Sequence, residues 1–206
     1  KLNADTINIT PKFRPLASDI SIVFQLAQID PQGNCTNGID RIYTSKTNYG
    51  DDSAKVNPWP RDKYLNIWTA KALQQGWAGY AYYPSAATGS LSVHDGLMVL
   101  ADYVGSIGTS NVNKSRTLTH EIGHWLNLNH TWGGTNQPGV ACGDDNVTDT
   151  PVTKGYTTCP SASNADVCNP GVIENYQNYM DYSYCYYMFT LGQKARMWAA
   201  LNSGAG

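Results

Sequence analysis

The chain has 206 residues and a formal net charge of −2 at pH 7, with 14 basic and 16 acidic side chains. This length is sufficient for one substantial domain, or for two closely packed lobes with a real core. The basic residues are scattered, which argues against nucleic acid as a partner, and no apolar run approaches the ~20 residues of a membrane helix. We therefore expect the protein to bind neither nucleic acid nor membranes, and we also expect it to be a monomer.

Four apolar or alternating runs predict β-strands in the first half of the chain. They comprise residues 20–29, 64–69, 77–83 and 96–100. Residues 115–128 follow with apolar side chains at helical spacing and predict an α-helix. Residues 131–179 are rich in Gly, Asn, Asp, Thr and Pro and predict irregular structure. Thr190 then has the character of a helix N-cap, so that a last helix is expected from Leu191 to about Leu201.

Three of the four histidines lie within eleven residues, in the run His-Glu-Ile-Gly-His-Trp-Leu-Asn-Leu-Asn-His at 120–130. His120 and His124 are four residues apart, so that on a helix both lie on one face and can reach one metal ion at ~2.0–2.1 Å. Glu121 is rotated by about a third of a turn from the first histidine. Its carboxylate is therefore kept off the metal but remains close to a water that the metal would bind.

His130 is six residues beyond His124 and would point nearly the opposite way on a continuing helix. It can join the same metal only if the helix stops and the chain turns back. Asn127 suits that turn, because Asn is among the few residues other than Gly that adopt a left-handed conformation. Three protein ligands leave a fourth position for water, which indicates a catalytic zinc site. The alternative is a solvated helix with incidental histidines, and His94 is expected to be a surface or loop histidine.

Five cysteines are present, and four of them fall in the last third of the chain, where regular elements are least expected. Disulfides would stabilise such an irregular lobe, and together with the loop-rich composition they favour secretion. The alternative is five free thiols. Cys35 is separate from the other four and is expected to stay unpaired.

The run around the histidines resembles the metzincin zinc-binding consensus, in which Gly usually stands at the position of Asn127. With Asn at that position, the run is similar to the pappalysin family of metallopeptidases, in its ulilysin-like, cytophagalysin-type branch. The resemblance covers nearly the whole chain from about residue 20 onward. Its landmarks are Asp30-Pro31-Gln32-Gly33-Asn34, Gly38-Ile39, Tyr64-Leu65-Asn66-Ile67-Trp68, Gly79-Tyr80-Ala81, Asp95-Gly96, Asp149-Thr150-Pro151, Asn178-Tyr179-Met180-Asp181-Tyr182 and Phe189-Thr190-Leu191-Gly192-Gln193.

The resemblance implies a metzincin-like α/β (α+β) fold in one catalytic domain. The upper lobe, residues 1–130, would hold a twisted mixed sheet and the zinc-binding helix. The irregular lower lobe, residues 131–206, would carry the Met-turn and end in a helix. A secreted zinc endopeptidase is implied, which hydrolyses protein or peptide substrates with Zn2+ held by His120, His124 and His130.

The resemblance also assigns roles to three further side chains. Glu121 would be the general base. Met180 would be the Met-turn residue, an apolar floor beneath the zinc, and the alternative is an ordinary core methionine. Tyr182 could donate a hydrogen bond to the oxyanion of the tetrahedral intermediate, although it is one of fourteen tyrosines. An extended peptide substrate could pair with a sheet edge at the predicted strand 96–100.

Two interleaved disulfides, Cys142–Cys168 and Cys159–Cys185, are implied by the resemblance, although the sequence alone permits other pairings. Each would close a loop of about 26 residues and stabilise the fold by ~3 kcal/mol in the chain-entropy model. Calcium is implied as well, because carboxylates and main-chain carbonyls in a turn suit a hard cation. The alternative there is a solvated acidic turn. The matching calcium-binding segment contains Asp144, Asp145, Val147 and Thr150.

Two departures from the branch affect what the resemblance implies. Ulilysin-like enzymes carry acidic residues between the Met-turn and the next cysteine, and these favour Lys or Arg after the scissile bond. Here the link is only Asp181-Tyr182-Ser183-Tyr184, which argues against that preference and favours an apolar or aromatic-lined pocket. Family members also carry a first strand and a backing helix ahead of the segment that resembles residues 1–20. We expect these, and any targeting segment, to lie outside this sequence or in a separate piece.

The sequence leaves three alternatives open. One is a zinc hydrolase that acts on something other than peptides. Another is a binding module that kept the zinc site and lost activity, against which the intact Glu121 argues. The third is an inactive zymogen-like or truncated form.

Overall fold

The computed structural model describes residues 5–161 and 164–203. The chain forms two compact units. One unit is Ile22–Trp125, and the other joins the segment that ends at Ser21 to the segment that begins at Leu126. The predicted lobes, 1–130 and 131–206, divide the chain differently, because the segment that ends at Ser21 groups with the carboxy-terminal half. The lobe arrangement therefore stays a prediction.

A three-stranded sheet of order β1-β3-β2 lies in the unit Ile22–Trp125. β1 (Ile67–Ala70) runs parallel to β3 (Leu97–Leu100), and β2 (Gly79–Ala81) runs antiparallel to it. Three of the four predicted strands therefore form, each shorter than predicted. β3 is paired on both sides, so the prediction that the strand at 96–100 presents a sheet edge to a peptide is wrong.

The predicted strand at 20–29 is wrong as well. These residues form no strand, and their one backbone pairing is an isolated bridge from Ile29 to Cys35. Val23 and Leu26 are 78% and 65% exposed. An alternating pattern predicts a strand because it presumes both a pairing neighbour and an element that covers the apolar face. In the described part of the chain, residues 22–28 are paired with no neighbouring strand.

Helix α1 (Val112–Trp125) packs on β2 and β3. It begins three residues before the predicted start at 115, because the side chain of Asn111 accepts a hydrogen bond from the backbone amide of Lys114. It ends at Trp125, three residues before the predicted end. Asn127, with φ of +69°, adopts the left-handed conformation expected at the turn.

The unit that begins at Leu126 is largely irregular and contains helix α2 (Leu191–Leu201). Thr190 and Gln193 form a reciprocal capping box at its start, which confirms the predicted N-cap. A buried cluster that includes Phe13, Tyr176 and Met188 forms a core that also contains Cys185, a member of one of the two disulfides. The disulfides are interleaved, as the resemblance implies, and join Cys142 to Cys168 and Cys159 to Cys185.

Short 3-10 helices occupy several connections within the described residues. None of the described helices is both long enough and apolar enough to span a membrane. The 3-10 helices are Thr6–Asn8, Arg14–Leu16, Ser45–Asn48, Asp52–Ala54, Gln74–Gly76, Gly89–His94 and Ala101–Tyr103.

Candidate active site

Two histidines of α1 face each other one helical turn apart. Nε2 of His120 lies 3.1 Å from Nε2 of His124, and both side chains are buried. Two nitrogen ligands of a tetrahedral zinc ion are separated by about 3.3 Å when each bond is ~2.0–2.1 Å. The helical spacing thus places this pair at the separation that a shared zinc ion requires.

The third histidine joins the pair after the left-handed turn at Asn127. The candidate ligand atoms of His120, His124 and His130 all lie within 4.8 Å of one another, and all three residues are buried. Among the described residues this is the one group of three His, Cys, Asp or Glu side chains close enough to hold an ion. Imidazole nitrogens are common zinc ligands, so the donor set fits zinc. The structure therefore brings together the three residues that the sequence predicts.

The ring of His130 is packed between aromatic side chains. It stacks on the indole of Trp132, with ring centres 4.6 Å apart and planes 2° apart. The ring of Tyr182 meets it edge-on at 4.9 Å and also contacts Trp132 at 5.0 Å. These contacts restrict rotation of the imidazole, and they place Tyr182 beside a candidate metal ligand.

Glu121 is buried on α1, and burial raises the pKa of its carboxyl group to about 8. β2 approaches this side chain closely at Gly79. A methyl group at Gly79 would lie 3.0 Å from both Cγ and Oε1 of Glu121, and 3.1 Å from the carbonyl oxygen of Met98. Glycine at this position therefore leaves room for the carboxyl group.

Tyr83, two residues after β2, contacts His124 from the side opposite His120. Its hydroxyl lies 3.2 Å from Nδ1 of His124, and the two rings meet edge-on with centres 5.5 Å apart. This contact was not predicted from the sequence, in which Tyr83 only ends a predicted strand. No spacing rule joins residues 41 positions apart, and the available signal was only the position of a tyrosine at the end of a predicted strand.

The carboxylate of Asp95, which is buried, contacts two half-buried side chains, one of them at the carboxy-terminal end of α1. The indole nitrogen of Trp125 donates to Oδ1 of Asp95 at 2.9 Å, and Nε of Arg61 lies 3.1 Å from Oδ2 of the same carboxylate. Asp95 directly precedes Gly96 and β3. In the sequence Trp125 is only one of the apolar positions of the helix, and the helical pattern does not predict its hydrogen bond. This network connects the segment before β3 to the end of the histidine-bearing helix.

Met180 is fully buried, and its carbonyl oxygen accepts a hydrogen bond from the backbone amide of Thr131, the residue after His130. The neighbouring Asp181 is also buried. Its carboxylate accepts hydrogen bonds from the Thr131 hydroxyl at 3.3 Å and from the backbone amide of Ser183 at 2.9 Å. Burial nevertheless raises the pKa of Asp181 to about 8. The chain around Met180 is thus bonded directly to the segment that carries His130.

The four candidate calcium ligands lie in one turn. Oδ1 of Asp145 accepts hydrogen bonds from the amide of Val147 and the hydroxyl of Thr150, and that hydroxyl also lies 2.7 Å from the Val147 carbonyl oxygen. Oδ2 of Asp145 is buried and makes no hydrogen bond to any described residue. Burial raises the pKa of Asp145 to about 6. Asp144 is exposed on the same turn, and its carboxylate accepts from the amide of Asn146.

The remaining residues singled out by the sequence lie apart from the histidine cluster. Cys35 is a free, exposed thiol, as expected. His94 is half-buried at the end of a 3-10 helix and is not part of the metal-ligand group.

Curated relatives of the chain are fungal extracellular metalloproteases. One from Neurospora crassa is 38% identical over 140 residues, which are 66% of this chain and 47% of that protein. One from Colletotrichum graminicola is 36% identical over 160 residues, which are 74% of this chain and 55% of that protein. The chain thus spans about half the length of the curated relatives that it matches.

Solved structures of mirolysin are similar to the chain over nearly its full length. Mature mirolysin of Tannerella forsythia in complex with a cleaved peptide has a TM-score of 0.85 and 38% identity, covering 95% of this chain and 76% of that one. Mirolysin in complex with compound 9 has a TM-score of 0.86 and 36% identity, covering 100% of this chain and 80% of that one. The metzincin-like α/β fold implied by the sequence is therefore confirmed.

A family model described as pregnancy-associated plasma protein-A, peptidase M43, matches residues 48–202, well over half of the chain. These residues include the histidine cluster, Glu121 and all four disulfide-bonded cysteines. The chain therefore belongs to the peptidase M43, or pappalysin, family of metallopeptidases.

Proposed function

We propose that the protein is a secreted, zinc-dependent endopeptidase that cleaves proteins or peptides. The observation that carries the proposal is the convergence of three buried histidines beside Glu121, with ligand atoms within 4.8 Å of one another. Membership of the metallopeptidase family supports it, as does the complex of the related mirolysin with a cleaved peptide. The extracellular naming of the fungal relatives and the two disulfides support secretion. Within this proposal the protein acts as a monomer.

Zinc would be held by His120, His124 and His130. When bound, zinc supplies Lewis acidity, which polarises the scissile carbonyl group and lowers the pKa of a water molecule toward ~7. Glu121 removes the proton of the attacking water and delivers it to the leaving amine nitrogen. Tyr182, whose ring packs edge-on against His130, donates its hydroxyl hydrogen to the oxyanion.

The residue preference after the scissile bond would be apolar or aromatic. The link that follows Met180 contains one acidic side chain, Asp181, and this side chain is buried and bonded to Thr131 and Ser183. It is therefore unsuited to pair with a substrate Lys or Arg. The exposed member of the link is Tyr184, whose side chain is 46% exposed.

Calcium would bind in the turn that contains Asp144, Asp145, Val147 and Thr150. The buried Oδ2 of Asp145, together with a main-chain carbonyl and a hydroxyl in the same turn, matches the oxygen chemistry that calcium prefers. We expect added calcium to raise the melting temperature of the protein but not that of Asp145→Asn. Asp62→Asn, which changes an exposed carboxylate outside the turn, is the matched control. Equal calcium responses in all three proteins would exclude this site.

The main experiment incubates the protein with a proteome-derived peptide library, with and without a zinc chelator, and identifies cleavage sites by mass spectrometry. Cleavage that the chelator abolishes supports the proposed zinc endopeptidase. A predominance of apolar or aromatic residues directly after the cleaved bonds supports the proposed preference. A small amide panel, digested in parallel, separates an endopeptidase from a hydrolase of other substrates.

Glu121→Gln is the matched catalytic control. It keeps a side chain of similar size and should retain stoichiometric zinc, measured by metal analysis, while turnover falls by about 10²–10⁴-fold. Zinc binding by the unsubstituted protein without any cleavage would indicate a binding module or an inactive form. Substantial activity of Glu121→Gln would exclude Glu121 as the base.

A further inference from the structure

The contact between Tyr83 and His124 involves the ring nitrogen that a metal ion would not use. Nε2 of His124 faces Nε2 of His120 at 3.1 Å, whereas Nδ1, on the other side of the ring, lies 3.2 Å from the Tyr83 hydroxyl. One imidazole thus has its candidate ligand atom in the histidine cluster and its second nitrogen against a tyrosine on the segment after β2.

We infer that Tyr83 is a positioning residue that holds His124 in the tautomer able to bind the metal. The inference rests on the proposed zinc site and extends it by one residue. Tyr83 acts through His124 and needs no contact with substrate.

The chemistry of a neutral imidazole explains the inference. One ring nitrogen carries the proton and donates, while the other accepts or binds a metal through its lone pair. If the Tyr83 hydroxyl donates to Nδ1, the proton lies on Nε2 and points at His120, which blocks metal binding. If the hydroxyl accepts from Nδ1–H, the lone pair of Nε2 is available to the ion. Only the second arrangement is compatible with His124 as a ligand.

The surroundings of Tyr83 suit this role. Its carbonyl oxygen accepts hydrogen bonds from the backbone amides of Ala86 at 2.9 Å and Ala87 at 3.1 Å, so a turn directly after β2 fixes its backbone. Its ring meets the imidazole edge-on at an interplanar angle of 68°, which hinders a ring flip that would exchange the positions of the two nitrogens. The tyrosine therefore contributes both a hydrogen-bond acceptor and a steric wall.

The adjacent Tyr82 provides a matched control. Its hydroxyl donates to the carboxylate of Asp52 and makes no contact with a candidate metal ligand among the described hydrogen bonds. Tyr83→Phe and Tyr82→Phe each remove one hydroxyl from neighbouring residues and keep the ring. The two variants therefore differ in whether the lost hydroxyl faces His124.

The experiment measures zinc affinity by competition with a chromophoric chelator, for the unsubstituted protein and both variants. We expect Tyr83→Phe to bind zinc about 10–100-fold more weakly, the range seen when a hydrogen-bond partner of a ligand is removed, and Tyr82→Phe to bind with unchanged affinity. Long-range 1H–15N spectra of the zinc-free proteins report the protonated nitrogen of His124. They should show the Nδ1–H tautomer in the unsubstituted protein and a mixture in Tyr83→Phe.

The outcomes separate this inference from the proposed function. Tight zinc binding by the unsubstituted protein together with equal affinity and an unchanged tautomer in Tyr83→Phe overturns the role of Tyr83 alone. An equal loss of affinity in both variants assigns the effect to general destabilisation and also overturns it. No zinc binding by the unsubstituted protein overturns the proposed function, and the positioning role with it.

Discussion

The substitution Gly155→Ala should disturb the histidine cluster, because the added methyl group would push the indole of Trp132, which stacks on His130. A Cβ atom at this position would lie 2.2 Å from Cε3 of Trp132, where ordinary contact begins at 3.4 Å. The indole would have to move by about 1.2 Å to restore ordinary packing, which is an overpacking change of the kind that costs ~1–3 kcal/mol. The same ring stacks on His130 with parallel planes, so its displacement should carry the imidazole with it.

Gly155→Ala has two effects, strain in the backbone of residue 155 and displacement of the Trp132 indole, and a control variant must distinguish them. Gly155 has φ of +73°, and a left-handed conformation costs a residue with a Cβ atom roughly 1–2 kcal/mol. Gly171 has φ of +80° and no atom within 4 Å of a built Cβ, so Gly171→Ala carries the strain without the clash. We expect Gly171→Ala to lower the free energy of unfolding by about 1–2 kcal/mol, and Gly155→Ala by about 2–5 kcal/mol.

Two assays test the reasoning. Urea unfolding in the presence of a chelator gives the stability of each variant without zinc, and competition with a chromophoric chelator gives its zinc affinity. Gly155→Ala should bind zinc at least tenfold more weakly, in line with other changes to the surroundings of a ligand, whereas Gly171→Ala should bind it normally. If Gly155→Ala binds zinc as tightly as the unsubstituted protein, Trp132 does not hold His130 in place.

Three further predictions concern other parts of the molecule. Gly79→Ala places a methyl group 3.0 Å from the Glu121 carboxyl group and should displace it. Steady-state kinetics should then show a lower kcat, while metal analysis shows full zinc occupancy. An unchanged kcat would mean that the Glu121 side chain can move aside without loss of function. Asp181 has a pKa raised to about 8 from an ordinary value of 3.8, so the folded state binds more protons than the unfolded state between these values. The free energy of unfolding in chelator should therefore fall as pH rises from about 5 to 8, and Asp181→Asn should show a shallower slope; equal slopes would contradict the assignment. Thr190→Ala removes the cap of α2 and should cost about 1 kcal/mol in urea unfolding, against less than about 0.5 kcal/mol for the exposed control Thr148→Ala.

Features encoded within a few residues could be predicted from the sequence. The spacing of His120 and His124 fixes their common face on a helix, and Asn127 supplies the turn that brings His130 to them. The cap at Thr190 likewise depends on a residue three positions away. Such features follow from helical geometry alone, and the structure contains each of them.

Features that depend on distant partners could not be predicted in this way. The alternation at 20–29 indicates a strand only if another strand pairs with it, and no strand pairs with residues 22–28 in the described chain. The contact of Tyr83 with His124 and the approach of Gly79 to Glu121 arise from the packing of β2 on α1. The family resemblance, rather than spacing, supplied the pairing of the four disulfide-bonded cysteines.

The interleaving of the two disulfides determines whether the chain stays in one piece after proteolytic cleavage. The disulfide Cys142–Cys168 links the two sides of any cut made between those two residues. The disulfide Cys159–Cys185 does the same for any cut made between Cys168 and Cys185. A single cut anywhere between Cys142 and Cys185 therefore leaves both fragments covalently joined. An endopeptidase that nicks its own irregular segment would keep its pieces together, and the nick would become visible as two bands only after reduction.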